Sequence, residues 1–172
     1  MSLKLEVASH LAAGEARVHV QEAQALNHKL LGDVRDAVST LRGDVSIDLG
    51  KSIRGFTDGI RRPRIHLALP EDLDLDDPLR AHALLRCAQE IITNAIRHAR
   101  AQNLWLEMRK TPDGITLTAR DDGRGARAVR PGSGLKGMRE RLEEVGGRLK
   151  LAAAPQEGFR VDVWLPLRGA AR

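Results

Sequence analysis

Small and apolar residues recur at alternating intervals of three and four along the first quarter of the chain: Ala13, Ala16, Val20, Ala23, Asn27, Leu30, Val34, Ala37 and Leu41. One member of the stripe, Asn27, is polar. No proline interrupts residues 4–42, and Gly14 and Gly32 are the only glycines before Gly43. The spacing predicts a long N-terminal helix, with Gly43 as its stop. Its stripe needs a partner helix, in this chain or another; a helix lying on its own globular domain would show the same pattern.

Beyond Gly43 the pattern shortens and mixes. A helix is predicted over 46–59, capped by Ser46 or Asp48, with Leu49, Ile53 and Phe56 on one face. Ile65, Leu67 and Leu69 alternate with polar or small residues up to Pro70, as a strand does. The acidic run from Glu71 to Asp77 lacks the EF-hand spacing and its central glycine, and reads as a solvated loop leading into a helix cap. Residues 78–100 form a helix with Leu84, Leu85, Ala88, Ile91, Ile92, Ala95 and Ile96 on its apolar side. Strands at 104–108 and 115–119 flank Thr111-Pro112-Asp113-Gly114, a hairpin turn. A glycine-rich loop over 121–134 precedes a helix at 136–145, which closes at Gly146-Gly147. Strands at 149–152 and 159–165 make a second hairpin. Helices mixed with hairpin-paired strands predict an α+β sandwich, a mixed β-sheet with helices on one face.

Composition narrows the partners. At 42% hydrophobic and 30% charged residues, the 172-residue chain is a folded one, and 2% aromatics with no Tyr make its core aliphatic. The net charge of +5 mildly favours anions. No dense Lys/Arg run and almost no aromatic stacking platform exist for nucleic acid, which is not expected as a partner. Cys87 is the lone cysteine, so it has no disulfide partner in the chain and makes no zinc site; it reads as a small buried residue. No apolar run approaches the ~20 residues of a membrane span, and no signal peptide is visible. A cytoplasmic protein, or the cytoplasmic part of a larger membrane-bound one, is expected.

Two glycine clusters carry the first chemical signal: Asp121-Asp122-Gly123-Arg124-Gly125 and Gly132-Ser133-Gly134-Leu135-Lys136-Gly137-Met138. Glycines let backbone N–H groups approach a ligand, and the second cluster opens into a helix whose N-terminus favours phosphate. Neither a Gly-Lys-Ser/Thr motif nor a βαβ context is present, so the Walker and Rossmann patterns do not apply. By themselves the clusters would equally suit surface turns. The upstream helix adds Glu90, Asn94 and His98 at i, i+4, i+8, one helical face. Carboxylate and amide oxygens suit Mg²⁺ bridged to phosphate; a solvated polar face is the plainer alternative.

Taken together, these pieces resemble the GHKL (HATPase_c) ATP-binding domain. Asn94 and its surroundings resemble the N box, Asp121-Asp122-Gly123-Arg124-Gly125 the G1 box, and Gly132-Ser133-Gly134-Leu135 the G2 box, in the family's order and spacing. Two stretches, 89–99 and 134–141, are similar to sensor histidine kinases of the nitrate and desaturase type in two-component systems. Similar too are Gly146-Gly147, the 155–158 turn and the final Val163-Trp164-Leu165-Pro166-Leu167. The resemblance covers roughly residues 45–168, and it implies a Bergerat-type two-layer sandwich.

The same resemblance implies ATP and Mg²⁺ as cofactors. Asp121 would hydrogen-bond the adenine amino group. Gly123 and Gly125 would let backbone approach the base. Asn94 would hold Mg²⁺, with Glu90 acting through metal-bound water and as a possible auxiliary to catalysis. His98 and Arg97 would meet phosphate, as would Gly132, Ser133, Gly134 and Leu135 around the start of the following helix. Residues 126–131 would form a short lid, with arginines that suit polyphosphate or simply a solvated loop. Phe159 departs from the pattern, because the family commonly has Thr after the glycine at Gly158; one hydrogen bond is worth ~1 kcal/mol, enough to weaken binding without abolishing it.

A histidine kinase also needs a phosphoacceptor His followed by Asp or Glu. His10, His19 and His28 precede Leu11, Val20 and Lys29, so none fits. Residues 30–42 resemble the end of the second helix of the dimerisation hairpin. The expected organisation is therefore a truncated hairpin helix (1–44), an ATP-binding catalytic domain (45–168) and a tail (169–172). It implies γ-phosphoryl transfer to a histidine outside this chain, a response regulator as later acceptor, a homodimeric parent kinase, and no autophosphorylation by the chain alone. The alternatives are a serine/threonine-type GHKL kinase of the anti-sigma-factor kind and a non-catalytic partner-binding module.

Overall fold

The chain divides into two units, Met1–Val45 and Ser46–Arg172. The computed structural model describes residues 48–71, 73, 75, 77–127 and 132–167, all in the second unit. The helix expected over 1–44 and the tail expected at 169–172 lie outside the described residues.

The first described helix, α1 (Leu49–Thr57), starts where Asp48 accepts a hydrogen bond from the Lys51 N–H at 2.7 Å. Leu49 and Ile53 are buried, but Phe56, in the last turn, is 39% exposed rather than part of the apolar face. Strand β1 (Arg64–Ala68) follows. The acidic segment ends at Asp77, which caps helix α2 (Pro78–Asn94) by accepting from the Leu79 and Arg80 N–H groups, while Pro78 occupies the first turn, where no N–H is needed.

Helix α2 does not run on to residue 100 as an α-helix. Ala95–Ala99 wind as a π-helical turn, ended by Arg100 in the left-handed region at φ 54°. The wider turn carries residues off the α-helical period. Ala95 stays buried, whereas Ile96 leaves the apolar stripe and is 47% exposed.

Strands β2 (Asn103–Thr111) and β3 (Gly114–Asp121) form the first predicted hairpin. Helix α3 (Ser133–Glu144) begins directly after Gly132, three residues before the sequence pattern placed it, so Gly134 belongs to its first turn. Strands β4 (Arg148–Ala153) and β5 (Phe159–Pro166) form the second hairpin. The sheet order is β1-β2-β3-β5-β4, with β1 parallel to β2 through the α2 crossover and every other pair antiparallel.

Alternation along the strands sends Leu104, Leu106, Met108, Ile115, Leu117, Ala119, Val161, Val163 and Leu165 to one face. There they pack with Leu84, Ala88 and Ile91 of α2, Met138 and Leu142 of α3, and Ile53 of α1. The other face carries Trp105, Thr116, Thr118 and Trp164 toward solvent. The domain is thus a two-layer α+β sandwich, with an aliphatic core between helices and mixed sheet.

Cys87 lies wholly inside that core, and burial pushes its thiol up to about 12, with Glu90 raising it and Arg141 opposing. The thiolate is the reactive form. Cys87 should therefore resist a maleimide at neutral pH in the folded domain and react promptly in denaturant. Stoichiometric labelling of the native protein, read by mass spectrometry, would contradict this burial.

Candidate functional site

Asp121 ends β3 with its side chain on the buried face, at 6% exposure the one buried acidic residue among those described. Its Oδ1 accepts the Gly123 N–H at 2.8 Å and the Phe159 N–H at 3.3 Å. Among the described residues, Oδ2 has no hydrogen-bond partner. Burial raises the Asp121 carboxyl above its ordinary value; the two backbone N–H groups oppose this, and the neighbouring Asp122 charge adds to it. The result is a fixed carboxylate with one oxygen occupied and one available.

The glycines around it are required by the chain's own backbone. A Cβ on Gly123 would lie 2.2 Å from the Ala99 carbonyl oxygen. Gly125 has φ +58°, and a Cβ there would come within 1.9 Å of the Ala154 carbonyl. Gly158, at φ +80°, leaves only 1.9 Å to the Asp121 carbonyl. The Arg124 N–H donates to the Ala99 carbonyl at 2.9 Å, and the Gln156 N–H to the Arg124 carbonyl at 2.8 Å. The G1-type loop is thereby pressed between the end of the π turn and the β4–β5 turn. Phe159 contributes to the Asp121 hydrogen bonds through its backbone, which the identity of its side chain does not change.

On α2, the Asn94 amide Nδ2 donates to Glu90 Oε1 at 3.0 Å. That bond aims the Asn94 amide and leaves its Oδ1 without a partner among the described residues. The Glu90 carboxylate also sits against the first turn of α3, where a Cβ on Gly134 would meet its Oε1 at 1.9 Å. Glu90, Asn94 and Gly134 are therefore brought together. Arg97 and His98 lie in the π turn, exposed, and share no hydrogen bond with Glu90 or Asn94. His98 thus does not continue the Glu90–Asn94 stripe by one α-helical turn.

Gly132 and Ser133 are exposed at the N-terminus of α3, and no atom comes within 4 Å of a Cβ built on Gly132. Leu135 packs on the core. Only Ala126 and Arg127 of the lid over 126–131 fall before the undescribed residues 128–131. Among the described residues, no three His, Cys, Asp or Glu side chains cluster as a metal site. Oxygen donors from Asn94 and Glu90 alone fit an ion that keeps most of its waters and arrives with phosphate, as Mg²⁺ does.

Sequence reasoning left three contributors without a role. Asp122 accepts the Gln102 and Asn103 N–H groups on Oδ1 and the Asn103 amide on Oδ2, each at 2.8 Å. Asn103 reaches on to His66 Nε2 at 3.0 Å, and the His66 ring stacks on Trp105. The Ala99 carbonyl anchors the glycine loop. The only signal in the sequence was the second acid of the Asp121-Asp122 pair.

Comparison with known proteins gives the family and the fold. Residues 80–169 match the family model described as histidine kinase-, DNA gyrase B-, and HSP90-like ATPase. The sensor histidine kinase LnrJ of Bacillus subtilis is 32% identical over 143 residues, covering 81% of this chain and 36% of LnrJ. The sensor histidine kinase YxjM of the same organism is 28% identical over 153 residues, covering 86% of this chain and 37% of YxjM. The chain thus spans little more than a third of these curated relatives. Among solved structures, the histidine kinase domain of the Erythrobacter litoralis EL346 blue-light activated kinase superposes with a TM-score of 0.61 at 17% identity, over 96% of this chain and 92% of that one. The mycobacterial sensor histidine kinase MprB gives a TM-score of 0.54 at 20% identity, over 71% of this chain and 96% of that one. Both share the fold.

Proposed function

This chain belongs to the histidine kinase-, DNA gyrase B- and HSP90-like ATPase family and carries its ATP-binding domain; from that premise we propose how ATP is held and where its phosphoryl group goes. The observation that carries the reading is Asp121. Its backbone hydrogen bonds fix the carboxylate, and its unpartnered Oδ2 offers one acceptor to the amino group of adenine. Guanine would present a carbonyl there, so adenine is selected by the loss of a hydrogen bond on both sides.

From that anchor the remaining residues take their places. Gly123 and Gly125 keep the loop low beneath the base. Asn94 Oδ1 would hold the Mg²⁺ that accompanies the phosphates, and Glu90, which orients the Asn94 amide, would act through the ion's water. The metal would neutralise charge on the phosphate oxygens. Arg97 and His98, exposed in the π turn, serve the phosphate chain from one side. Gly132, Ser133, Gly134 and Leu135 present the N-terminus of α3 from the other, where N–H groups and the helix dipole favour anions.

In the whole kinase the γ-phosphoryl group passes to a histidine on a dimerising helical hairpin and then to a response regulator. This chain's part is positioning and charge stabilisation, which dominate phosphoryl transfer. A cytoplasmic location and a homodimeric parent protein accompany this reading. Among the described residues, no helix is long and apolar enough to cross a membrane. The relatives named above are sensor histidine kinases, which favours that class over the serine/threonine type.

Calorimetric titration with Mg·ATP and Mg·GTP tests the first half. ATP should bind and GTP should bind at least about tenfold more weakly, the size of one hydrogen bond to a charged group. Equal affinity would overturn the Asp121 assignment. Transfer of label from γ-labelled ATP to a supplied histidine-bearing kinase hairpin tests the second half, and label found on serine or threonine would overturn the class.

A further inference from the structure

We propose that Asp122 is a positioning residue, a fastener that registers the phosphate wall of the nucleotide site against its adenine wall. The inference rests on the ATP reading above.

The two walls come from different parts of the chain. The adenine side is Asp121 and the glycine loop that follows it. The phosphate side is the end of α2 and the π turn with Arg97 and His98. Between the π turn and β2 the backbone must reverse through Arg100, at φ 54°, and residues 101 and 102. Nothing in that connection is regular structure, so its own hydrogen bonds do not fix it.

Asp122 supplies the missing bonds. Its Oδ1 takes the N–H groups of Gln102 and Asn103 together, and its Oδ2 takes the Asn103 side-chain amide, each at 2.8 Å. The Asp122 N–H returns a bond to the Asn103 carbonyl at 3.3 Å, and the Gln102 carbonyl accepts from Arg64 of β1 at 2.7 Å. These contacts close the connection immediately after the π turn. On the other side of the same junction, the Arg124 N–H holds the Ala99 carbonyl at 2.9 Å. The site's two walls are thus joined at two points, one through the Asp122 carboxylate together with its own N–H and one through backbone alone.

Partial desolvation by its neighbours works to raise the Asp122 carboxyl, but the bonds from Asn103 and Gln102 outweigh it and hold the group below its ordinary value. The ionised form is the one that grips the connection. The group is exposed, so its bonds act mainly on geometry and contribute little to global stability.

The test separates registration from folding and from the ATP reading. The probes are Mg·ATP, which spans both walls, and adenosine, which occupies only the adenine wall. For Asp122→Ala, affinity per folded molecule should fall about tenfold for Mg·ATP and less than about threefold for adenosine, since the three exposed carboxylate bonds are lost from registration and none from the adenine contact. Asp122→Asn, which keeps an Oδ1 acceptor for the Gln102 and Asn103 N–H groups but loses the charge and the acceptor for the Asn103 amide, should recover part of the loss. In the unmutated domain, hydrogen exchange at the Gln102 and Asn103 amides should slow more with Mg·ATP than with adenosine. An unchanged ATP-to-adenosine ratio in Asp122→Ala, or equal slowing by both probes, overturns the fastener. If Asp122→Ala does not fold, Asp122→Asn and the exchange data decide. Failure of the unmutated domain to bind either probe overturns the ATP reading itself, and the fastener with it.

Discussion

Asp121→Asn is expected to lower adenine-nucleotide affinity by about 100-fold or more while leaving the domain folded. The substitution is isosteric, and the new Oδ1 can still accept the Gly123 and Phe159 N–H groups. What changes is the other atom. Oδ2, free to accept from adenine, becomes an amide donor facing the adenine amino donor. The loss combines a hydrogen bond to a charged acceptor with an unsatisfied donor on a buried side chain, about 3 kcal/mol together. Titration with adenosine reads this without the phosphates, and unchanged adenosine affinity would rule out Asp121 as the adenine anchor.

The same residue sets a pH dependence of known sign. Burial holds the Asp121 carboxyl above its ordinary value in the folded domain. A carboxyl with a raised folded pKa adds stability below its unfolded pKa, and that contribution is lost as pH rises through the folded value. At neutral pH the ionised carboxylate is therefore a cost to the empty domain. Asp121→Asn removes that cost, so its melting temperature at neutral pH should equal or exceed that of the unmutated domain. Adenosine binding by the unmutated domain should weaken on acidification at a pH above the ordinary aspartate range, and the variant should show no such step. A variant that melts lower would mean that the carboxylate has a structural partner.

Much of this site was legible in the sequence because its parts are local. Asp121, Gly123, Gly125, Asn94 and Glu90 fall within short motifs, and a helical i, i+4 pair such as Glu90–Asn94 meets whenever the helix forms. The hairpins announced themselves through Asp113-Gly114 and the 155–158 turn. What escaped was either non-local or a break of period. The bonds from Asp122 to Gln102 and Asn103 span 20 and 19 residues and leave no trace in local pattern. The π turn keeps an apolar residue, Ile96, where an α-helix would bury it, so the stripe conceals the change of winding. Insertion of β5 between β3 and β4 is a non-local pairing that the local hairpin signal does not specify. Phe159 meets Asp121 through its backbone N–H, a contact that the residue type at this position does not reveal.

Gly158→Ala is the substitution expected to damage the fold most. At φ +80° an L side chain is strained, and the added Cβ would sit 1.9 Å from the Asp121 carbonyl oxygen and 3.3 Å from its Oδ1. That obstacle is backbone at the end of a central strand, so relief requires β5 to part from β3 or the β4–β5 turn to move. Left-handed strain and the displaced strand end together should cost about 3 kcal/mol or more, lowering the melting temperature on the order of 10 °C. Nucleotide affinity should fall as well, because the movement pulls the Phe159 N–H from Asp121. Gly137→Ala is the matched control. It lies inside α3 with nothing outside its own helix backbone and adjacent residues within 4 Å of an added Cβ, so helix propensity alone should raise stability by about 0.5–1 kcal/mol. The two glycines are indistinguishable as letters in a glycine-rich sequence, and opposite shifts in thermal denaturation would show that backbone contact at Gly158 ties the Asp121 carboxylate to the sheet. Equal shifts would mean that the β4–β5 turn yields freely and that Asp121 is held by Gly123 alone.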